Sequence, residues 1–342
     1  MITTRDTLFI KGLAILLLVF HHNLLTSDYI YTLQRNLRIV VWIYLFITAY
    51  GFASQLEKTQ PKDYLKFTIK RLALLYVPLW ICYIVIILLN LIVDFEAVIS
   101  YYLHPPYIWI IDFFNLSSYF GTPTFLGSWY INLLVLLIVL FPGLYFIVSK
   151  LKWFSLIPFL LIVWCFKWKI YYTFGGYLDE YLLIVIIGIL FYKYKVFSFC
   201  PKIIGFWRMP LIALSVMLFL AAMCLRNEYL PLVSNTILLR FDPLSNFLAV
   251  ALISVVYILR SDDKVSIAFE KLGTFSADIF YLHSFFYNTL FPKVKITNAV
   301  VAFVLCFAAS LILSILIEKG KECIGLNQKL RKGLDNILKI SA

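Results

Sequence analysis

The chain has 342 residues, of which 63% are hydrophobic and only 14% are charged, and its formal net charge is +12. Soluble domains are nearer half apolar and a quarter charged, so this chain lacks the polar side chains that would cover a water-exposed surface. The composition therefore excludes a soluble globular protein and makes lipid the solvent for most of the chain.

Ten apolar segments are long enough, or nearly so, to cross a bilayer, which takes a helix of about 20 residues. In chain order, the predicted helices lie near residues 7–25, 37–55, 72–93, 128–148, 153–168, 179–193, 209–226, 244–260, 274–291 and 298–317. No internal repeat and no low-complexity segment accompanies them. The predicted fold class is all-α, a polytopic transmembrane helix bundle of about ten helices.

The basic residues predict how the bundle is oriented. With the N-terminus in the cytoplasm, the inner segments hold 22 of the 30 Lys and Arg residues, and the outer loops hold 8. This excess follows the positive-inside rule, so we expect both termini in the cytoplasm. We expect one membrane domain over residues 1–318 and a short basic cytoplasmic tail over residues 319–342. Because the cations lie in short loops, their expected partners are membrane lipids or substrate phosphates, and no nucleic acid.

The first helix carries two ionisable residues, Lys11 and His22, at membrane depth, where such residues are costly and therefore indicate function. Eleven residues correspond to three turns plus about 20°, so both lie on one helix face, about 16.5 Å apart along the axis. A cation near the cytoplasmic mouth and an imidazole deeper in the same groove suit a long, thin substrate with an anionic head. His21 points about 100° away. Taken alone, Lys11 also fits a snorkelling lysine, and His22 a hydrogen-bonded packing histidine.

Lys70 and Arg71 directly precede the third predicted helix, at its cytoplasmic end. Phosphate binding and anchoring to the membrane surface explain these two cations equally well. The outer loop that follows this helix, residues 94–127, is rich in Tyr, Trp, Phe and Pro. We expect this loop to pack on the helix bundle or in the membrane interface, and stacking on a sugar ring is the alternative role of its aromatic side chains.

The ninth helix carries two further candidates, Asp278 and His283. Because five residues correspond to about 140° around a helix axis, these two do not form a pair on one face. Asp278 fits a catalytic role and equally a structural one, as the partner of a hydroxyl or a Lys on a neighbouring helix. The six Cys residues show no CxxC and no metal-type spacing, so we expect neither disulfides nor a metal site.

Several of these segments resemble the acyltransferase-3 family of integral membrane O-acyltransferases. The first-helix signature of that family is a basic residue, usually Arg, followed after ten residues by His, and Lys11 and His22 fill these positions. Weaker similarities follow along nearly the whole chain, at residues 47–52, 70–78, 129–130, 188–193 and 276–283. Several positions depart from the family pattern, among them Ala49 and Tyr50 in the second helix and a register shift in the segment 276–283. Lys11 offers a point charge instead of the planar fork of Arg, and Leu74 stands where a further Arg is common.

The resemblance implies an enzyme that moves an acyl group, most often acetyl, from acyl-CoA on the cytoplasmic side. The implied acceptor is a hydroxyl of a cell-surface polysaccharide or lipid-linked sugar, and the implied location is the bacterial cytoplasmic membrane. Lys11, Lys70 and Arg71 would hold the phosphates of acetyl-CoA, and His22 would act as general base or transient acyl carrier. Asp278 and His283 are further catalytic candidates. Acyl-CoA is a substrate here, and no permanently bound cofactor is expected.

An exporter or transporter of a cell-envelope glycan is the alternative function. A transporter is expected to show polar residues on several helices and broken helix pairs in matching halves. This sequence has no half-to-half repeat, and its polar residues at membrane depth concentrate on the first and ninth predicted helices. Both observations favour the enzyme.

Overall fold

The structure, a computed structural model, is almost entirely helical. It describes residues 1–23, 37–103, 107–116, 129–158, 171–172, 176–200, 210–211, 213–215, 217–218 and 243–340. Within these residues, the β-structure is limited to one antiparallel pair of two-residue strands, β1 (Tyr171–Tyr172) and β2 (Gly176–Tyr177). The predicted all-α fold class is confirmed for the described part of the chain.

The helices with both ends described account for most of these residues. In chain order they are α1 (Thr4–Asn23), α2 (Ile39–Leu56), α3 (Tyr64–Val93), α4 (Phe95–Leu103), α5 (Ile108–Phe113), α6 (Trp129–Leu151), α7 (Leu178–Lys193), α8 (Pro243–Leu259), α9 (Lys264–Thr274), α10 (Ser276–Phe285), α11 (Phe291–Val294), α12 (Ala299–Cys323) and α13 (Leu326–Ile340). Short 3₁₀ turns occur at Pro61–Asp63, Lys152–Ser155 and Val196–Ser198, and a π-helix joins α10 to α11 over Phe286–Leu290.

Among the described residues, four helices are long and apolar enough to cross a membrane: Ile39–Leu56, Pro61–Val93, Trp129–Pro158 and Ala299–Cys323. Two shorter apolar helices cover Tyr181–Lys193 and Ser245–Leu259. The predicted helices at 153–168 and 209–226 lie largely outside the described residues. The membrane assignment is therefore supported, while the count of ten helices and the cytoplasmic position of both termini stay predictions.

The chain forms two compact units. Unit 1 comprises Met1–Lys58 and Leu140–Thr274, and unit 2 comprises Thr59–Val139 and Phe275–Ala342. Unit 1 therefore contains α1, α2, α7, α8 and α9, and unit 2 contains α3, α4, α5 and α10 to α13. Lys11 and His22 belong to unit 1, whereas Lys70, Arg71, Asp278 and His283 belong to unit 2.

Helix α1 begins at a reciprocal cap in unit 1. Thr3 Oγ1 donates to Asp6 Oδ2 over 2.6 Å and accepts from the Asp6 backbone N–H over 3.2 Å. The Asp6 carboxylate also accepts from the Thr3 backbone N–H over 2.8 Å. These bonds satisfy backbone donors that a helix otherwise leaves unpaired at its first turn. They fix the start of the helix that carries Lys11 and His22.

Helices α1 and α9 approach each other closely enough for their backbones to touch. A Cβ added to Gly12 would collide with the carbonyl oxygen of Phe269, and one added to Gly273 would collide with that of Leu8. Small residues that permit such close approach are common where membrane helices associate. The absent side chains of Gly12 and Gly273 therefore set the distance between the two helices.

We expect Gly12→Ala to destabilise the protein, because the added methyl meets backbone atoms that cannot rotate away. The expected loss lies at or above the upper end of the roughly 1–3 kcal/mol typical of overpacking. Gly51→Ala on α2 is the matched control, since its added Cβ finds nothing within 4 Å. In thermal unfolding of the detergent-solubilised protein, Gly12→Ala should lower the midpoint and Gly51→Ala should not. Equal midpoints for the two variants would contradict the close packing.

Unit 2 is built around α10, which packs against both α3 and α12. The side chains of Ile279 and Leu282 are fully buried, and Ser314 Oγ on α12 donates to the Phe275 carbonyl over 3.4 Å. Helix α12 begins at Asn298, whose Oδ1 accepts from the backbone N–H groups of Val300 and Val301 over 3.0 and 3.1 Å. These contacts place Asp278 and His283 inside unit 2.

Candidate active site

The face of α1 that carries Lys11 and His22 is packed within unit 1. The helix is continuous between these residues, so the helical spacing expected from the sequence applies. Ile15 and Leu18, which lie between them on the same face, are buried, while Lys11 and His22 are half-buried. The Tyr44 hydroxyl of α2 donates to the Lys11 carbonyl over 3.3 Å. The face therefore has an apolar buried middle with a polar group at each end.

The imidazoles of His21 and His22 lie against each other at the end of α1. Their ring centroids are 4.9 Å apart, with an interplanar angle of 65°. The two side chains leave the helix about 100° apart around its axis, as consecutive residues do. Their rings nevertheless meet edge to face. His21 is therefore placed to orient the His22 ring, whichever of them meets a substrate.

Charged residues that the sequence analysis did not single out form a network at the start of α1. The guanidinium of Arg260 is buried and contacts Asp6 Oδ1 at 3.1 Å and Glu270 Oε1 at 2.5 Å. Arg5 Nε donates to Glu270 Oε2 over 2.9 Å, and Arg5 Nη1 lies 2.9 Å from Asp262. The network ties the first turn of α1 to the end of α8 and to α9. Because the buried Arg260 charge stays paired only in this arrangement, the network favours one position of α1 relative to α8 and α9.

Glu270 is the more buried of the two carboxylates that both arginines contact, and Asp262 is the other. Burial raises the pKa of Glu270, but hydrogen bonds from Arg5 and Arg260 outweigh burial, and the net pKa lies below the usual 4.5. Because the folded-state pKa is lowered, Glu270 contributes stability above the unfolded-state pKa, and this contribution is lost as pH falls through the folded-state pKa.

We expect the unfolding midpoint of the wild-type protein to fall as the pH is lowered below about 4.5, and this fall to be shallower in Glu270→Gln. The amide keeps an acceptor for the arginines but has no proton to gain. Thermal unfolding across a pH series measures the difference. Glu96→Gln, at an exposed position of α4, is the matched control. Parallel pH profiles for wild type and Glu270→Gln would contradict the role of this carboxylate.

Lys70 and Arg71 lie in the second turn of α3 in unit 2, and both are half-buried. The Arg71 guanidinium stands 5.5 Å from the ring centroid of Phe67, one turn earlier on the same helix. Contact with the face of an aromatic ring favours one position of a guanidinium. Such a group can serve phosphate binding or anchoring of the helix, so both interpretations from the sequence stand.

The structure pairs Asp278 with a cation. Lys321 Nζ on α12 lies 2.9 and 3.1 Å from the two Asp278 oxygens, and the side chains are 5% and 3% exposed. Lys321 also contacts Glu318 at 2.8 Å, and the Cys82 thiol of α3 lies 3.6 Å from Asp278 Oδ1. The structural role considered for Asp278 was that of partner to a hydroxyl or a Lys on a neighbouring helix, and Lys321 on α12 is such a Lys. Whether Asp278 also takes part in catalysis stays a prediction.

His283 is buried in α10 one turn before the π-helix Phe286–Leu290. Its Nδ1 lies 2.6 Å from the Phe280 carbonyl and 3.2 Å from that of Ile279. Because a carbonyl only accepts, Nδ1 carries the proton, and Nε2 is the basic nitrogen of the neutral ring. The π-helix is a rare conformation that is frequent at functional sites. Asp278 and His283 have separate partners, as their spacing predicted.

The first part of the aromatic loop over residues 94–127 packs on α3. Trp80 Nε1 donates to the Phe113 carbonyl over 2.8 Å, and the Tyr76 hydroxyl donates to the Phe114 carbonyl over 3.2 Å. Tyr101 donates to the buried Asp112 over 3.2 Å, and burial, followed by the Asp112 charge, raises the pKa of Tyr101. The described part of this loop thus packs on a helix, as expected. The residues at 104–106 and 117–128 lie outside the described part.

The cysteines and potential metal ligands add no further site within the described residues. Cys82, Cys200, Cys306 and Cys323 form no disulfide there. No cluster of three or more His, Cys, Asp or Glu residues that could hold a metal ion is found in that part of the chain. Cys165 and Cys224 lie outside it.

The fold and these side chains define a helical membrane protein with a Lys and a His on one helix face. A model of the acyltransferase-3 family, described as an acyltransferase domain, matches residues 9–319. This match spans most of the chain and includes every site residue that was predicted from the sequence. The chain therefore belongs to this acyltransferase family. Comparison with curated proteins gave no match, and neither did comparison with solved structures.

Proposed function

We propose that this protein transfers an acyl group, in the first place acetyl, from acyl-CoA on the cytoplasmic side to a sugar hydroxyl. The acceptor is a cell-surface polysaccharide or a lipid-linked sugar. The observation that carries the proposal is the family membership together with Lys11 and His22 on one continuous, packed helix face. A cation and an imidazole about 16.5 Å apart along one helix suit a donor with phosphates at one end and a thioester at the other.

In the proposed complex, Lys11 binds a phosphate of acyl-CoA as a point charge. Lys70 and Arg71 are two further cations proposed to bind phosphate, and the Arg71 guanidinium lies 5.5 Å from the centroid of the Phe67 ring. In this proposal the basic residues bind acyl-CoA, and the imidazole of His22 carries out the transfer.

In the proposed reaction, His22 removes the proton of the acceptor hydroxyl while the oxygen attacks the thioester carbonyl. The carbon–sulfur bond then breaks, and the proton passes from the imidazole to the leaving CoA sulfur. The products are an ester of the sugar and free CoA. In the second form of this chemistry, His22 accepts the acyl group itself and passes it to the hydroxyl. Both forms require a His22 nitrogen at the reacting carbon or hydroxyl.

Mass spectrometry of surface glycans from cells with and without this protein tests the proposal. We expect an ester on a sugar hydroxyl in cells that express the wild-type protein, and its loss when the gene is deleted. Restoring the wild-type chain should restore the ester. Identical ester content with and without the protein, at full expression, would contradict a glycan acyltransferase.

A further inference from the structure

Helix α1 ends at Asn23, the residue directly after His22, and this side chain is buried. Asn23 is 2% exposed, and its Nδ2 donates to the Val19 carbonyl, one turn earlier, over 2.8 Å. This bond fixes the orientation of the amide, because a flipped amide would place Oδ1 against the Val19 carbonyl oxygen, and both of these atoms only accept. The Asn23 Oδ1 atom is therefore held on the side of the amide that faces away from the Val19 carbonyl.

The Asn23 Oδ1 atom has no hydrogen-bond donor within the described part of the chain. Because an amide oxygen only accepts, the partner that it lacks is an N–H or an O–H group. A buried acceptor without a partner has lost its bonds to water and has gained no other, and most buried polar atoms in proteins are paired. Since this oxygen belongs to the neighbour of a candidate catalytic residue, we look for its donor on a substrate.

The position of Asn23 along α1 distinguishes the two substrates. In the proposed function, acyl-CoA extends from Lys11 to His22, and the acceptor hydroxyl meets His22 at the thioester end. Asn23 lies one residue further from Lys11 than His22 does, and it leaves the helix on the opposite side of His22 from His21. The substrate next to Asn23 is therefore the acceptor.

The hydroxyl that is acylated cannot also be the donor to Asn23. A hydroxyl has one proton, and in the proposed reaction that proton passes to His22. The donor to Asn23 Oδ1 is therefore a second hydroxyl of the same molecule. Neighbouring carbons of a sugar ring carry such pairs of hydroxyls, whereas a simple alcohol has only one.

We propose that Asn23 Oδ1 accepts a hydrogen bond from a second hydroxyl of the acceptor, next to the one that is acylated. Asn23 then selects acceptors with neighbouring hydroxyls and positions the reacting hydroxyl at His22. This inference rests on the proposed function for the reaction at His22. It assigns Asn23 to the binding of the acceptor and not to the binding of acyl-CoA.

Acceptor binding by the full-length protein in detergent tests the inference without acyl transfer. The probe is the surface-glycan fraction of cells that lack the gene, in which the acceptor is not esterified, and acyl-CoA is left out. We expect this fraction to raise the midpoint of thermal unfolding of the wild-type protein, because a ligand of the folded state stabilises it. Asn23→Leu removes the acceptor oxygen at similar size, and its Kd for the fraction should be about tenfold higher.

Asn90→Leu is the matched control for Asn23→Leu. Asn90 on α3 is 1% exposed, its Nδ2 donates to the Ile86 carbonyl over 2.8 Å, and its Oδ1 also has no donor among the described residues. The two variants thus replace the same kind of buried amide, but only Asn23 is next to His22. Asn90→Leu should bind the fraction with wild-type affinity.

The inference would be overturned if the fraction left the wild-type midpoint unchanged, or if Asn23→Leu bound it as tightly as wild type. Equal weakening in Asn90→Leu would also contradict it. In a transfer assay, a higher KM for acetyl-CoA in Asn23→Leu, with unchanged affinity for the fraction, would assign Oδ1 to the donor instead. A wild-type protein that binds the fraction through Asn23 but forms no ester contradicts the proposed reaction alone.

Discussion

Replacing His22 with Ala is expected to lower the rate of acyl transfer by about 10²–10⁴-fold, the contribution typical of a positioned acid–base group. Alanine leaves α1 helical, and His22 is half-buried at its end, so the fold should persist. The loss should appear in kcat, while the affinity for acyl-CoA should change little, because the cations proposed to bind its phosphates remain. Steady-state kinetics on reconstituted protein separates these two quantities.

His21→Ala is the matched control for His22→Ala. The two rings are in edge-to-face contact, so both variants remove a histidine from the same turn of α1. His21→Ala should keep most of the activity, with at most a modest effect through the orientation of His22. Full activity of a well-expressed His22→Ala variant, or a larger loss in His21→Ala, would reject His22 as the catalytic residue.

Replacing Lys321 with Met is expected to produce the largest loss of stability, about 3–5 kcal/mol, because it leaves Asp278 as an uncompensated buried charge. The Asp278 carboxylate is 3% exposed and has both oxygens on Lys321, and burial leaves it no access to water. Lys319→Met is the matched control, since Lys319 is an exposed lysine on the same helix. The midpoint of thermal unfolding in detergent should fall in Lys321→Met and stay near wild type in Lys319→Met.

The double variant Asp278→Leu/Lys321→Met tests whether the loss comes from the unpaired charge. Replacing both members of a buried ion pair with apolar residues is often neutral or stabilising, so much of the lost stability should return. Additive losses in the double variant would contradict the account of this pair. If acyl transfer also survives in the double variant, Asp278 acts only in packing α10 against α12.

Hydrophobic runs and charge placement predict much of this fold because each spanning helix carries its own signal. Helices α2 and α12 begin within two residues of the predicted positions. Helix α1 begins earlier than predicted, since Thr3 and Asp6 form a cap in polar residues that an apolar-run criterion does not count. The short amphipathic helix α9 was missed for the same reason, although Asp263 at its start accepts from the Ser266 backbone N–H over 2.7 Å.

Contacts between helices leave no comparable signal in a single sequence. In the sequence, Lys321 is one of several cations in a basic tail. In the structure, α12 continues to Cys323, and Lys321 is buried in an ion pair with Asp278. The same holds for Gly12 and Gly273, whose closeness depends on how two distant segments pack. The pairing of Arg260 with Asp6 also joins residues far apart in the chain. Spacing along one helix identified Lys11 and His22 because both residues share that helix.

Acyl transfer from radiolabelled acetyl-CoA to a lipid-linked sugar, measured in proteoliposomes, tests the central proposal most directly. We expect wild-type protein to form the labelled ester. Lys11→Ala should raise the KM for acetyl-CoA about tenfold to a hundredfold, since a hydrogen bond to a charged group contributes about 1.5–3 kcal/mol, whereas Lys11→Arg should keep most of the affinity. Ester formation that needs no acyl-CoA, or that is unchanged in both Lys11→Ala and His22→Ala, would contradict the proposal.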